Sequence, residues 1–268
     1  MQFEIGYQPS YSLAIINLGV GEQIRCESGA MVSMSADLKL EAKMNAGAQT
    51  SGLIGKAFGA LKRSVLGGES FFITTVSAPT TAGEITLAPS VPGDITAVDI
   101  TGKTLIVQAG AYLASGPGVE IDTQWAGLRG LLGGEGLFFL RISGSGTAFI
   151  TSFGAIHRRP LAPGERYVVD SGHMVAFQEG MTMVTRMASK DGGFLKRAMT
   201  SATTGEGLVM EFTGPGEVWM QTRNPQAFGG WVSGLIPSRS SNSSSSSSAV
   251  AVGGIGALIG SLLGGSKD

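Results

Sequence analysis

The chain has 268 residues, enough to bury a sizeable hydrophobic core, and its composition points away from several classes of protein. Because 19 basic residues nearly balance 20 acidic ones, no overall field attracts nucleic acid or an anionic membrane. Cys26 is the single cysteine, which excludes an internal disulfide, and the first residues lack the apolar run of a secretory signal. We therefore expect a cytoplasmic protein, and the 42 glycines favour tight turns between short strands.

In chain order, two short apolar runs around Pro9 come first, and a segment of 24 residues then occurs three times without gaps. Each copy begins with glycine and has a central glycine eight residues later. In every copy the residues on one face alternate with those on the other at a period of two, which is typical of a β-strand with one buried face. The copies are residues 21–44, 102–125 and 164–187, with central glycines at Gly29, Gly110 and Gly172.

A second set of related segments alternates with these copies. Each contains a turn rich in leucine and basic residues, a Gly-Glu step and an apolar strand that leads to a return strand; they start at residues 61, 128 and 194. Apolar residues at helical spacing also predict a short helix at residues 52–66. The pattern predicts a triplicated all-β domain with one or more short helices, spanning residues 1–237.

Paired glycines at Gly144 with Gly146 and at Gly214 with Gly216 have the spacing of part of a phosphate-binding loop. They lie between two predicted strands, whereas a dinucleotide-binding loop must lead from a strand into a helix. Hairpin turns that require positive φ explain them better, so we reject nucleotide binding.

Two histidines are the first candidates for catalysis or metal binding. His157 lies beside Arg158 and Arg159, and we expect a solvated loop there rather than a local anion site. His173 occupies a position where the other copies have alanine, and we expect a partly buried histidine with its hydrogen bonds satisfied. Neither histidine has a partner at metal-ligand spacing.

The other candidates are more easily explained as structural residues. Cys26 corresponds to valine in the other two copies, which predicts a small core residue. Asp94, Asp99 and Asp170 have the surroundings of turn or strand-edge residues. Because the sequence contains no GxSxG motif and no evident carboxylate pair, we predict a protein that is not an enzyme, with no cofactor, no metal and no nucleic-acid partner.

Four blocks of sequence together resemble a known family. They extend from Phe3 to about Pro225 and include LGVGEQIRCESGAMVSM, LGGESFFITTVSAP with LAPSVPGDI, LAPGERYVVDSGHMVAF and GEGLVMEFTGPGEVWMQTRNP. The family is that of proteins related to the yeast mitochondrial biogenesis factor named for altered inheritance of mitochondria. The resemblance implies a fold similar to that of the tryptophan RNA-binding attenuation protein, with β-sandwich or barrel-like units in a pseudo-threefold arrangement. It implies no catalytic residues, and a shared fold does not establish RNA binding.

The end of the chain departs from this pattern. A serine-rich linker, residues 238–248, precedes an apolar, glycine-rich tail, residues 249–268. Gly256, Gly260 and Gly264 repeat every four residues, which places small side chains on one face of a helix and permits close helix contact. The tail is interpreted as a membrane-associating or helix-pairing anchor, as a segment docked on an apolar surface, or as a disordered segment.

Three aromatic residues precede the linker. For Trp219, Phe228 and Trp231 we expect a place in the last core layer rather than in an exposed apolar rim.

The function that follows is that of a non-enzymatic scaffold. Strand edges that the repeats leave open favour a homo-oligomer, and the tail favours attachment to a membrane or to a protein partner. The alternative is a small-ligand-binding or catalytic module that uses a pocket between the β-repeats, near His173.

Overall fold

The computed structural model describes residues 1–43, 73–122, 138–187 and 208–236 as antiparallel sheets followed by one short helix. This confirms the predicted all-β fold. The predicted helix at residues 52–66 and most of the three basic connectors lie outside the described residues. In chain order the elements are β1 (Gln2–Gly6), β2 (Leu13–Leu18), β3 (Gln23–Glu27), β4 (Met31–Met34), β5 (Lys39–Lys43), β6 (Ile73–Ser77), β7 (Gly83–Leu87), β8 (Ile95–Asp99), β9 (Leu105–Gln108), β10 (Tyr112–Ser115), β11 (Val119–Asp122), β12 (Phe139–Gly144), β13 (Thr147–Thr151), β14 (Ile156–Leu161), β15 (Arg166–Asp170), β16 (Met174–Gln178), β17 (Thr182–Met187), β18 (Leu208–Thr213), β19 (Gly216–Gln221) and α1 (Pro225–Leu235).

The strands form four sheets within one compact unit, residues 1–230. Two sheets have six strands, in the orders β5-β6-β3-β10-β13-β8 and β11-β12-β9-β16-β19-β14. The other two are smaller, with the orders β1-β2-β7-β4 and β15-β18-β17. Residues 231–236, the end of α1, belong to a second unit whose other residues lie outside the described part of the chain.

A pattern of six strands recurs three times along the chain. We define module 1 as β2–β7, module 2 as β8–β13 and module 3 as β14–β19. In each module, the second, fourth and fifth strands pair in the order fourth-fifth-second, and the first, third and sixth pair in the order third-sixth-first. The recurrence of the pairing is thus a property of the fold, while its origin in an ancestral triplication stays a prediction.

Neighbouring modules join through one strand pair each, and we call these pairs the junctions. Junction 1 pairs β3 with β10, with Cys26 opposite Ala114 and Arg25 opposite Ser115. Junction 2 pairs β9 with β16 in the equivalent register. Its opposed residues are Val107 with Ala176, Ile106 with Phe177 and Leu105 with Gln178. In both junctions, the second strand of one module therefore pairs with the third strand of the next.

The junctions also make neighbouring modules share their cores. Ile95, Leu113 and Phe149 of module 2 are buried in the core cluster of module 1, beside residues such as Ile16. In the same way, Trp219 of module 3 is buried in the cluster formed mainly by module 2. Burial of large side chains contributes about 1.5–3 kcal/mol each, so a module separated from its neighbour would lose part of this stabilisation.

Strand β9 is buried on both faces, although the alternation in the repeats predicts one buried face. Leu105 and Val107 pack into the core cluster centred on module 2, whereas Ile106 points to the other side and packs into the cluster of module 3. All three are fully buried. The central strand of a six-stranded sheet that separates two cores has no solvent-facing side, which is why its sequence is continuously apolar.

Three of the four glycines that the sequence assigns to hairpin turns have a positive φ; Gly214 is the exception, and Gly216, at the start of β19, has φ of 152°. Gly144 and Gly146 connect β12 to β13 with φ of 102° and 116°, values that favour glycine. The central glycines of the repeats differ from one another: Gly29 has φ of 95°, whereas Gly110 and Gly172 lie in single 3-10 turns. The three repeats therefore turn between their first two strands by more than one backbone conformation.

Candidate functional site

His157 and the two arginines after it lie on a strand, not in the loop that the sequence predicted. They belong to β14, which pairs along its whole length with β19. Arg158 forms an ion pair with Glu217, and Arg159 forms one with Glu165. Both guanidinium groups thus have carboxylate partners.

His173 is partly buried and hydrogen-bonded, as the sequence predicts. It lies in the 3-10 turn before β16, and its Nδ1 is 2.8 Å from the main-chain oxygen of Gln221, which accepts the hydrogen bond. In the described part of the chain, no group of three histidine, cysteine or acidic side chains is arranged to hold a metal ion.

Cys26 is a core residue, as its valine counterparts indicate. Its side chain is buried in the module 1 cluster and has no disulfide partner. Burial raises the pKa of the Cys26 thiol to about 11, and nearby Glu27 adds to the shift. A thiol with so high a pKa is a poor nucleophile at neutral pH.

The three aspartates act in turns and at strand ends, as predicted. Asp94 precedes β8 and accepts hydrogen bonds from Ser12 Oγ at 2.9 Å and from Gln8 Nε2 at 3.0 Å. Asp170 Oδ1 accepts one from the main-chain N–H of Gly172 at 2.9 Å. At the end of β8, hydrogen bonds from Thr101 lower the pKa of Asp99. Asp99 and Asp170 thus stabilise local turns, whereas Asp94 links the start of β8 to the segment between β1 and β2.

A cleft of about 200 Å³ lies where the three modules approach one another. Its lining includes Glu27 of module 1, Gln108 of module 2, and Ser171 and Gln221 of module 3. The amide of Gln221 is already satisfied: its oxygen accepts from the main-chain N–H of Phe153 at 2.9 Å, and its nitrogen donates to the Gly172 carbonyl at 3.0 Å. The cleft matches the predicted pocket between repeats, although its lining does not include His173.

The aromatic residues before the linker divide between core and surface. Trp219 is buried, as predicted, in the cluster of module 2. The expectation of a core position is wrong for Phe228 and Trp231, which are exposed on α1. This helix has no buried residue. The ring of Phe228 contacts that of Phe153 edge-on, with centroids 5.1 Å apart.

Eight of the described strands end a sheet, and two of them, β4 and β15, are the third and second strands that no junction pairs; we call β4 and β15 the open edges. Strand β4 ends the sheet β1-β2-β7-β4, and β15 ends the sheet β15-β18-β17. Among the described strands, β4 pairs only with β7, and β15 pairs only with β18. Their counterparts β10, β16, β3 and β9 each pair on both sides.

Side chains on the open edges are exposed where their counterparts are buried. Val32 of β4 is 59% exposed, whereas the equivalent Leu113 and Val175 are fully buried. On β15, Val168 is 53% exposed, whereas the equivalent Ile106 is fully buried. The period of two in the first repeat places Val32 on the same face as Ile24 and Cys26, which predicts burial. Val32 is exposed instead, on a strand that has no neighbour beyond β7.

Sequence reasoning expected open edges but did not locate them. The structure shows where they are, because two junctions among three modules leave one second strand and one third strand without a partner. The sequence alone does not give the order in which the strands pair. That order places β4 at the end of one sheet and β15 at the end of another.

The tail glycines Gly256, Gly260 and Gly264, together with the linker, lie outside the described residues. Within the described residues, no helix combines the length and the hydropathy needed to cross a membrane.

Residues 3–223 match the protein family described as "Mitochondrial biogenesis AIM24". The chain belongs to this family. A Streptococcus pyogenes relative, described as an uncharacterized protein, is 32% identical over 243 residues, covering 90% of this chain and 93% of the relative. A crystal structure of a protein from Streptococcus pyogenes is similar with a TM-score of 0.68 and 30% identity, covering 88% of this chain and 99% of that chain. These matches confirm the family that the sequence blocks indicated, and the likeness to the attenuation protein stays a prediction.

The buried thiol gives the first testable prediction. We expect Cys26→Val to keep the fold and to change the free energy of unfolding by less than about 1.5 kcal/mol, because the side chains are similar in volume and both equivalent positions hold valine. Since the folded-state pKa is raised, the stabilisation by the protonated thiol is complete below its ordinary pKa and is lost as pH rises towards about 11. Urea unfolding between pH 7 and 11 should show this extra decline in the wild type and not in Cys26→Val. Rapid labelling of the folded wild type by a thiol reagent at pH 7 would contradict the assignment.

Proposed function

We propose that the chain is a non-enzymatic scaffold that self-associates through its open edges. The observation that carries the proposal is the contrast between these edges and their counterparts inside the molecule. Val32 is exposed where Leu113 and Val175 are buried, and Val168 is exposed where Ile106 of junction 2 is buried. An exposed strand edge with unpaired N–H and C=O groups and apolar side chains readily pairs with another chain.

Charge does not block these edges. The guanidinium of Arg166, at the start of β15, is bound by Glu211 of the neighbouring strand β18, which also pairs with Arg186. On β4, all four side chains are uncharged: Met31, Val32, Ser33 and Met34. Proteins that avoid edge pairing commonly place lysine or proline on such strands. The open edges lack both residue types.

The tail adds a second means of attachment in this proposal. Residues 249–265 carry no charged side chain, and the glycines at positions 256, 260 and 264 permit close helix packing. In an assembly, several weak tail contacts act together because each bound tail raises the effective concentration of the others. We therefore assign the tail to attachment to a membrane surface or a protein partner.

A charge on an open edge should disrupt the assembly. The wild type is expected to form a species several times larger than the 27.5 kDa chain, and Val168→Lys should shift it to the monomer because a lysine on the edge opposes pairing. Val184→Lys is the matched control, since Val184 is also 53% exposed but lies on β17, whose counterparts β5 and β11 end their sheets. Light scattering after size-exclusion chromatography measures the masses. A monomeric wild type at high micromolar concentration would refute self-association.

Removal of the tail should separate attachment from folding. A chain truncated after Pro237 is expected to keep its circular dichroism spectrum and its oligomer mass, because the open edges are intact, and to lose binding to liposomes or to a captured partner. Co-sedimentation with vesicles of phosphatidylcholine and phosphatidylglycerol compares the two chains. Equal sedimentation of both chains with the vesicles would exclude the tail as a membrane anchor.

The cleft supports a second candidate function, the binding of a small ligand between the modules. Its polar lining, with Glu27, Gln108 and Ser171, is the observation in its favour, and the satisfied amide of Gln221 is the observation against it. We expect divalent cations, nucleotides and amino acids to leave the melting temperature unchanged, because only a ligand that binds the folded state raises it. A reproducible rise in a thermal-shift screen would favour this candidate, and its persistence in His173→Ala would show that the histidine is not involved.

A further inference from the structure

We infer that the cleft between the three modules binds a small primary amine, with the ammonium group against the carboxylate of Glu27 and the hydrocarbon chain along Phe153 and Met174. This assignment rests on the second candidate function, ligand binding in the cleft, and adds the chemical class of the ligand. Three properties of the cleft support it: the charge of its lining, the hydrogen-bonding capacity that the lining leaves available, and its volume.

The charge of the cleft comes from one of three equivalent positions. Glu27, Gln108 and Asp170 each lie six positions after the first glycine of their repeat. Glu27 and Gln108 line the cleft, whereas Asp170 is not part of the lining and accepts a hydrogen bond from the main-chain N–H of Gly172. Among the described lining residues, Glu27 alone has a charged side chain, and none is basic. The lining therefore disfavours anions such as phosphates and carboxylates.

Several polar groups of the lining can only accept further hydrogen bonds. Thr151 Oγ1 donates its hydrogen to the main-chain oxygen of Asp94 at 3.0 Å, and Ser152 Oγ donates to that of Gly154 at 2.7 Å. A hydroxyl group has one hydrogen and two lone pairs, so both side chains keep only acceptor capacity. The carboxylate of Glu27 has about four acceptor sites and can therefore bind a ligand in addition to any other partner. An ammonium group, with three donors and no acceptor, complements these groups.

An organic cation suits the cleft better than a metal ion does. Divalent cations are held by several oxygen ligands. The described lining has a single carboxylate, and no group of three histidine, cysteine or acidic side chains in the described ranges is arranged for a metal. Phe153 and Met174, which are 8% and 1% exposed, add an apolar wall that a hydrated ion does not use.

The volume of the cleft limits the size of the amine. A cavity of about 150 Å³ in another protein holds benzene, so a cleft of about 200 Å³ takes roughly eight non-hydrogen atoms. Hexylamine has this size. The lysine side chain of a peptide has the same head group, but the peptide backbone that comes with it exceeds the space. We therefore assign the cleft to a free amine.

One wall of the cleft is fixed before a ligand binds. Pro225 and Gln226, in the first turn of α1, belong to the lining. Asn224 Oδ1 accepts hydrogen bonds from the main-chain N–H groups of Gln226 at 2.9 Å and of Ala227 at 3.1 Å, which caps the helix at this point. Because this wall is already ordered, binding does not require the loss of its conformational freedom.

Thermal unfolding of the full chain with three matched compounds tests the assignment. Hexylamine, 1-hexanol and hexanoate have chains of similar length and head groups that are positive, neutral and negative at pH 7.4. Hexylamine should raise the melting temperature by about 3–5 °C at ten times its Kd, and the other two should leave it unchanged. Glu27→Gln should abolish the rise. Glu4→Gln is the matched control, since Glu4 is exposed on β1 outside the lining, and it should keep the rise.

Each other result overturns the assignment in a recognisable way. An equal rise with 1-hexanol or hexanoate would show that the charge of the ligand is not read. An unchanged rise in Glu27→Gln would place the amine elsewhere. A rise with Nα-acetyl-lysine amide and none with hexylamine would show that the ligand is a peptide side chain.

The same measurement separates the ligand class from the function on which it rests. If hexylamine has no effect and another compound of the thermal-shift screen raises the melting temperature, the amine is wrong and ligand binding in the cleft stands. If no compound raises it, both are wrong. The comparison of the three head groups uses the wild type alone and so does not depend on the folding of a variant.

Discussion

Backbone hydrogen bonding at strand edges is the constraint on which the arrangement of the modules depends. Each module contains one second strand and one third strand whose outer edge the module itself cannot pair. Three modules thus have six such edges, and junctions 1 and 2 satisfy four of them. Among the described strands, β4 and β15 keep the remaining two. Unpaired N–H and C=O groups favour any partner that replaces water with equally good hydrogen bonds.

Side-chain burial follows from the same pairing. Where a junction exists, the sheet runs continuously from one module into the next, and a residue such as Ile106 reaches the core of the neighbouring module. Where no junction exists, the equivalent Val168 is exposed to solvent. Hydrogen bonding and apolar burial therefore act together at each junction. Both are missing at the outer edges of β4 and β15. This coincidence is the reason for proposing β4 and β15, and not an isolated exposed valine, as docking surfaces.

Features with a local cause were predictable from the sequence. Alternation at a period of two gave the strands, positive φ explained Gly144 and Gly146, and the equivalence of Cys26 with two valines indicated its burial. Features that depend on distant partners were not. The exposure of Val32, for example, depends on the absence of a second neighbour for β4. The pattern within a segment does not contain this information.

The candidate site divides in the same way. The sequence indicated that the carboxylates and histidines are structural, because each lacks a catalytic partner nearby in the chain, and the hydrogen bonds of Asp94 and His173 agree. The sequence expected His157 in a loop, since adjacent basic residues before a proline are common there. It lies instead on β14, the last strand of a sheet, where proline is tolerated because the outer N–H groups need no partner.

The register of β4 with β7 shifts at Val32, which is an extra residue in the strand. This irregularity affects how readily the exposed edge can aggregate. A strand of four residues with a kink in its middle offers too short and too uneven a template for the flat, in-register stacking of amyloid. A strand that pairs with the outer edge of β4 must have a twist that matches the twist of this irregular strand. The irregularity of β4 therefore disfavours fibril growth from its exposed edge.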